Sequence, residues 1–361
     1  HRRRHSFPTR RSSDLGVLEA LDLDPGFDWS RVVVVTAADV PGHNTIHLIE
    51  DDQPALVPVG GRIMHHDEPL ALVAAPTRAL ARAAAAAVRP RVSARPAVLT
   101  VDDALAGAGP LYGADNVFKQ FLIRKGHAAD AELEAAFAAA AHVIEATYTT
   151  SAQEQMYIEP QAMMAEWRDG RCHLVGSMQC PYYVHKAMKA LTGRKEDRIV
   201  VRQTVTGGGF GGKEEYPSML AAHCALLAGF VDGPVKMIYE RDEDIAATTK
   251  RHPGRVHHRL GLAADGSLAV IDADVVFDGG AYLTLSPVVL SRGVLHAAGP
   301  YRCPLVRVRG RVVATNHPPH GAFRGFGAPQ TTFAYERQLD KLARALGADV
   351  WDFRDRHALR P

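Results

Sequence analysis

Residues 205–214 read Val-Thr-Gly-Gly-Gly-Phe-Gly-Gly-Lys-Glu, five glycines around Phe210 with Lys213 and Glu214 directly behind. Upstream, residues 199–205 (Ile-Val-Val-Arg-Gln-Thr-Val) have the composition of a strand. Downstream, residues 219–230 carry the Ala/Leu-rich pattern of a helix. Glycines between a strand and a helix let the backbone reach positive φ and let another group approach bare peptide. The first turn of the helix offers unpaired N–H groups to an anion. Gly207, Gly209 and Gly212 also satisfy G-x-G-x-x-G, which opens the alternative of an NAD- or FAD-binding oxidoreductase with residues 207–212 as its phosphate loop. That fingerprint expects a compact βαβ unit with an acid about 20 residues on. Glu240 lies too far downstream for that place, and the fingerprint leaves Phe210 and Glu214 without a purpose.

The 361-residue chain is long enough for two or three domains with a large core. Its apolar share of 47% and charged share of 23% are those of a soluble globular protein. The net charge of +2 is unevenly spread. Residues 1–15 hold five arginines against Asp14, a net of +4, so the remainder comes to −2. A mildly acidic body argues against a nucleic-acid binder. Cys172, Cys180, Cys224 and Cys303 show no metal-binding spacing and read as reduced thiols of a cytoplasmic chain. No apolar run approaches the length of a membrane span. Residues 1–15 match nothing after them in composition, and the Arg10-Arg11 pair lacks the apolar region of a signal peptide. They are expected to be a non-native, disordered head.

Residues 31–36 and 69–75 read as strands, and Thr77 as the cap of an alanine-rich helix, so residues 16–100 form a small α+β domain. Asp67 and Glu68 read as a solvated turn. Residues 101–129 read as a surface connection. Asp130 is an N-cap candidate for a helix over 131–141, and 142–150 is a strand. Beyond it come a hairpin across Asp169-Gly170, a helix over 182–191, strands over 268–277 and 305–314, and a helix over 331–346. Phe333, Leu339, Leu342 and Leu346 form that last helix's apolar stripe. The fold class is mixed α+β. The chain ends in mid-pattern and is expected to be a fragment.

Five stretches are polar or glycine-rich and lie at strand ends: 153–159 (Gln-Glu-Gln-Met-Tyr-Ile-Glu), 177–181 (Ser-Met-Gln-Cys-Pro), the glycine loop, 241–253, and 321–330 (Gly-Ala-Phe-Arg-Gly-Phe-Gly-Ala-Pro-Gln). Their order and spacing resemble the molybdenum-binding large subunit of the xanthine dehydrogenase and aldehyde oxidoreductase family, over roughly residues 30 to 350. The resemblance implies a hammerhead-like domain over 16–100 and the N-terminal half of a molybdopterin-binding domain over 130–361. It implies a molybdopterin cofactor carrying molybdenum, in bacterial members often as the cytosine dinucleotide. The implied reaction hydroxylates an electron-poor carbon of a purine, N-heterocycle or aldehyde with oxygen from water. Electrons then pass to 2Fe-2S clusters and FAD on partner subunits or domains, in a hetero-oligomer.

Residue by residue, Gln179 matches a glutamine that hydrogen-bonds an oxygen on the metal, with no direct protein ligand to molybdenum. Gly209, Phe210 and Gly211 match the loop beside the centre, and Arg324 an arginine beside the pterin. Glu214, Arg292 and Phe326 match residues that grip and stack the substrate. The glutamate that acts as base in the family falls beyond residue 361, and residues 153–159 differ from the wording usual in purine oxidases. The chain itself holds neither an iron–sulfur cysteine set nor a flavin segment, so alone it is expected to be inactive. A non-catalytic assembly member of the same fold is the remaining alternative.

Overall fold

The computed structural model describes the backbone of residues 4–9 and all of residues 15–360. In chain order its early elements are β1 (Arg4–Thr9), β2 (Gly16–Leu23), β3 (Val33–Val35), β4 (Arg62–Ile63), β5 (Ala71–Ala75), α1 (Arg78–Ala87), β6 (Val88–Ala94), α2 (Val101–Leu105), β7 (Val117–Lys125), α3 (Asp130–Ala139) and β8 (His142–Thr150). The middle of the chain supplies β9 (Ala162–Arg168), β10 (Arg171–Gly176), α4 (Pro181–Thr192), β11 (Ile199–Gln203), α5 (Pro217–Ala228), β12 (Val235–Ile238) and α6 (Arg241–Ala247). The last part supplies β13 (Gly254–Leu262), β14 (Leu268–Gly280), α7 (Ser286–His296), β15 (Leu305–Ala314), α8 (Ala328–Ala345) and α9 (Val350–His357).

These strands build three sheets, in the orders β11-β10-β9-β12-β1-β5-β3, β7-β15-β14-β13-β8 and β4-β2-β6. The mixed α+β class read from the sequence is the one observed. Every residue of α5 is buried, because the helix packs its whole circumference between the seven-stranded sheet and its neighbours. Its Ala/Leu composition suits a helix with no polar face. The second core lies under the five-stranded sheet, where α7 and α8 cover β13 to β15. There the buried Arg307 donates to both oxygens of Asp272 at 2.9 and 2.7 Å and reaches Asp130 at 3.0 Å, which fixes α3 against the sheet.

Several expectations change. The region 16–100 shares a sheet and a core with residues 162–238. Its β3 and β5 belong to the seven-stranded sheet, and Val35, Leu56 and Leu72 pack in one cluster with Met163 and Leu220. Backbone pairing ignores sequence distance, which a reading along the chain cannot see. The supposed connection 101–129 holds α2 and β7, the latter paired antiparallel to β15. Its polar outer positions hide it, as expected of an edge strand. Arg4–Thr9 pair with β12 and β5, contrary to a disordered head over those six residues. Extended backbone there meets the open donors and acceptors of two neighbouring strands, whatever its composition. Residues 1–3 and 10–14 of that head lie outside the described residues.

Asp130 is the first residue of α3, whose N-terminus is capped instead by Glu132 reaching back to the N–H of Ala129 at 3.3 Å. Phe333 is 43% exposed and leaves the expected apolar stripe of α8. Glu68 is buried: its carboxylate accepts from Met64 N–H at 2.6 Å and from the Tyr282 hydroxyl. Burial pushes its carboxyl up to about 7.

Candidate active site

The glycine loop leaves β11 at the edge of the seven-stranded sheet, and residues 315–330 leave β15 in the five-stranded one. The site forms where these two segments meet. Arg324 N–H donates to the Phe210 carbonyl at 2.9 Å, and the Gln155 side chain donates to the Ala322 carbonyl at 2.9 Å. Within the loop, Phe210 has φ 52° and Gly211 φ 106°, so the chain doubles back twice in succession. A Cβ on Gly211 would lie 2.6 Å from the Ala322 carbonyl oxygen. One on Gly209 would lie 2.4 Å from Gln179 Oε1. The glycines are thus required by close approach of three segments, and Phe210, 47% exposed, is held at a backbone conformation costly for its type.

Gln179 follows β10. Its Oε1 accepts from the N–H of Gly211 at 2.9 Å and of Lys213 at 3.2 Å, while its own N–H donates to the Lys213 carbonyl at 2.6 Å. Two backbone donors on one oxygen fix which way the amide faces. Its Nε2 is left with no acceptor among the described residues.

A layer of polar groups, all buried but the partly exposed Glu159, holds the loop from below. The Lys213 ammonium lies 2.7 Å from Glu159 and 3.0 Å from Ser177 Oγ, and Glu159 also accepts from Gly207 N–H at 2.7 Å. Gln161 donates to the Gly212 carbonyl at 2.6 Å and to the Tyr157 hydroxyl at 3.0 Å, and Tyr157 donates to Asp244 at 2.5 Å. The sequence alone gives these residues no chemical role. Glu159 and Tyr157 lie inside the stretch 153–159 and Lys213 follows the last glycine. A charged residue behind five glycines is the signal that could have found the pair.

Glu214 is half-buried. Burial raises its carboxyl and the Arg292 guanidinium draws it back down. Among the described residues no ion pair joins the two directly, so a simple salt bridge is not what they form. Arg292, on α7, lies 5.2 Å from the centroid of the Phe326 ring. Next to Glu214 in the chain, Glu215 is buried. One of its oxygens accepts from Ala322 N–H at 3.0 Å and the other has no partner among the described residues. Burial raises its carboxyl to about 8, so it holds its proton at neutral pH.

The structure therefore brings Gln179, Gly209, Phe210, Gly211 and Arg324 into one contact chain, and joins Glu214, Arg292 and Phe326 beside it. It does not support the nucleotide alternative. β11 is an edge strand with one parallel neighbour, β10, beyond which the sheet turns antiparallel. The helix begins at Pro217, after four residues of which Lys213, Glu215 and Tyr216 are buried, so no phosphate on the glycines would meet its N-terminus.

Residues 114–358 match the molybdopterin cofactor-binding domain family. The nicotinate dehydrogenase large molybdopterin subunit of Eubacterium barkeri is 34% identical over 317 residues, 87% of this chain and 72% of that subunit. The xanthine dehydrogenase of Emericella nidulans is 35% identical over 289 residues, 80% of this chain and 20% of that protein. Among solved structures, the aldehyde oxidoreductase from Desulfovibrio gigas superposes with a TM-score of 0.90 at 28% identity, over 99% of this chain and 40% of that one. The chain thus spans under half the length of the last two. Among the described residues no helix is long and apolar enough to cross a membrane.

Proposed function

The chain belongs to the molybdopterin cofactor-binding family of molybdenum hydroxylase large subunits, and from that premise we propose that it supplies part of the catalytic site for hydroxylating an electron-poor carbon of a purine, N-heterocycle or aldehyde. The observation that carries this is the Gln179 amide. Its oxygen is anchored by two backbone N–H groups, its nitrogen is a free donor, and the peptide beside it is stripped of side chains. A neutral donor held rigidly against bare backbone fits an oxygen-bearing metal centre, so the residues present suit the molybdenum cofactor. When bound, that cofactor supplies the two-electron redox centre and the oxygen taken from water.

The remaining roles belong to the chain. Gln179 donates from Nε2 toward the centre. Gly209, Phe210 and Gly211 present the backbone against it. The Arg324 side chain, exposed and without an ion-pair partner among the described residues, is placed to hold the pterin with its planar fork. Phe326 stacks on a flat substrate, with Arg292 over the same ring. Glu214 and Arg292 grip the substrate from one side each: the guanidinium stabilises negative charge developing on the ring, and the half-buried carboxyl shares a proton with a ring nitrogen or carbonyl. In this reading residues 16–100 are the hammerhead-like part and residues from 130 on begin the cofactor-binding part. Iron–sulfur and flavin partners carry the electrons away.

The test uses the full-length subunit co-produced with its redox partners. Stoichiometric molybdenum is expected, with turnover of one of the three substrate classes. Glu214→Ala is expected to lower kcat/KM by about 100-fold. Protein without molybdenum would overturn the reading, and an unchanged rate in the variant would remove Glu214 from the chemistry.

A further inference from the structure

We propose that Asp278, His317 and His320 form a binding site for a divalent transition-metal ion of the zinc class. Asp278 lies near the end of β14 and is 3% exposed. Its Oδ1 is occupied, accepting from Gly280 N–H at 2.9 Å and from Thr315 Oγ1 at 2.7 Å. Its Oδ2 faces two imidazoles, His317 Nδ1 at 2.7 Å and His320 Nε2 at 3.9 Å. One donor atom from each residue lies within 4.8 Å of the other two.

His320 is the independent observation. It is 4% exposed, and neither ring nitrogen has a hydrogen-bond partner among the described residues. An imidazole buried with no partner is costly, and an ion accepted at Nε2 removes part of that cost. Two ligands of a tetrahedral ion with bonds of about 2.0 Å stand about 3.3 Å apart. The observed 2.7 and 3.9 Å to Asp278 Oδ2 bracket that spacing. Two imidazoles and one carboxylate suit zinc and its first-row neighbours; calcium and magnesium prefer oxygen donors alone.

The site is also pre-organised. His317 and His320 are separated by Pro318 and Pro319, whose rings restrict the backbone between them. Ala281 N–H donates to the His317 carbonyl at 2.9 Å, and His320 N–H to the Gly279 carbonyl at 3.0 Å. Both histidines are thereby clamped to residues flanking Asp278. The His317 side chain is 37% exposed, which gives an ion its way in and a water its place as the remaining ligand. The bound ion ties the end of β14 to the segment that carries Arg324 and Phe326.

The experiment treats the full-length subunit with a chelator, then titrates it with Co2+ followed by its visible ligand-field bands, with Zn2+ and Ca2+ as competitors. Expected is saturable binding of a single Co2+, displaced by Zn2+ and not by Ca2+. His317→Ala, at a half-exposed position that leaves the core intact, is expected to weaken binding by roughly tenfold or more, and Asp278→Asn likewise. No Co2+ retained by the wild-type chain, or the same affinity in His317→Ala, would overturn the site. If Asp278→Asn fails to fold, the His317→Ala titration alone decides.

Discussion

The ammonium of Lys213 sits 2.7 Å from the carboxylate of Glu159, yet none of the Lys213 side chain meets solvent while 38% of the Glu159 side chain does. The two partners are therefore not equivalent. Glu159→Ala strands a charge with no route to water and also removes the acceptor for Gly207 N–H, an expected loss of about 3 kcal/mol. Lys213→Met leaves a carboxylate that can turn to solvent, an expected loss of about 1 kcal/mol. Urea unfolding of the two variants gives the order. A costlier Lys213→Met would mean that the pair does not hold the loop.

The glycines of the loop are distinguishable from ordinary turn glycines. Gly233 has φ 96° and nothing lies within 4 Å of where a Cβ would sit, so Gly233→Ala meets backbone strain alone, about 1 kcal/mol. Gly211 has φ 106° and the Ala322 carbonyl 2.6 Å away, so Gly211→Ala adds a backbone clash and is expected to cost about 3 kcal/mol or more. Thermal unfolding of the pair measures the difference, which is the cost of separating the 321–330 segment from the loop.

That contrast also shows what was legible in the sequence. Strands β15 and β8 span the residues read as strands, and the Asp169-Gly170 turn has both residues at positive φ, 51° and 72°, as a two-residue hairpin requires. Gln179, Phe210, Glu214 and Arg324 each sit in an unusual local stretch, whereas Arg292 is singled out only by the family resemblance. Glu215 was not. Nothing in its neighbourhood separates it from Glu214, and its burial comes from Ala322, 107 residues on. Asp278 with His317 and His320 stayed hidden for the same reason, since the strand pairing of β14 with β15 brings them together. Sheet membership across the chain, as for β3, β5 and β7, is likewise set by long-range pairing that local pattern does not encode.

Glu215 gives the fold a pH dependence of definite sign. Its carboxyl titrates near 8 folded, against an ordinary value of 4.5 unfolded, so between those values the folded state binds the extra proton. Its contribution is fully present below about 4.5 and is lost as pH rises through about 8. Glu215→Gln mimics the protonated acid and keeps an acceptor for Ala322 N–H. Denaturant midpoints across this range should fall less steeply with rising pH in the variant, whose relative advantage opens above about pH 4.5 and is complete by about pH 8. Parallel curves for the two proteins would show that Glu215 is ionised in the fold.

Gln179 separates holding the loop from acting on the centre. The side chain is exposed, so in Gln179→Ala water can replace its oxygen at the N–H groups of Gly211 and Lys213, and stability should change by about 1 kcal/mol or less. Gln179→Glu keeps an oxygen for those two donors but puts a second acceptor where Nε2 stood. In the full-length enzyme loaded with its cofactor, both variants are expected to lose kcat by about 10- to 100-fold with little change in KM, because the missing donor acts on charge that develops during the reaction. Steady-state kinetics beside an unfolding curve reads both properties on one preparation. Wild-type turnover in Gln179→Glu would show that the amide only braces the loop, and the donor role assigned to Nε2 would fall.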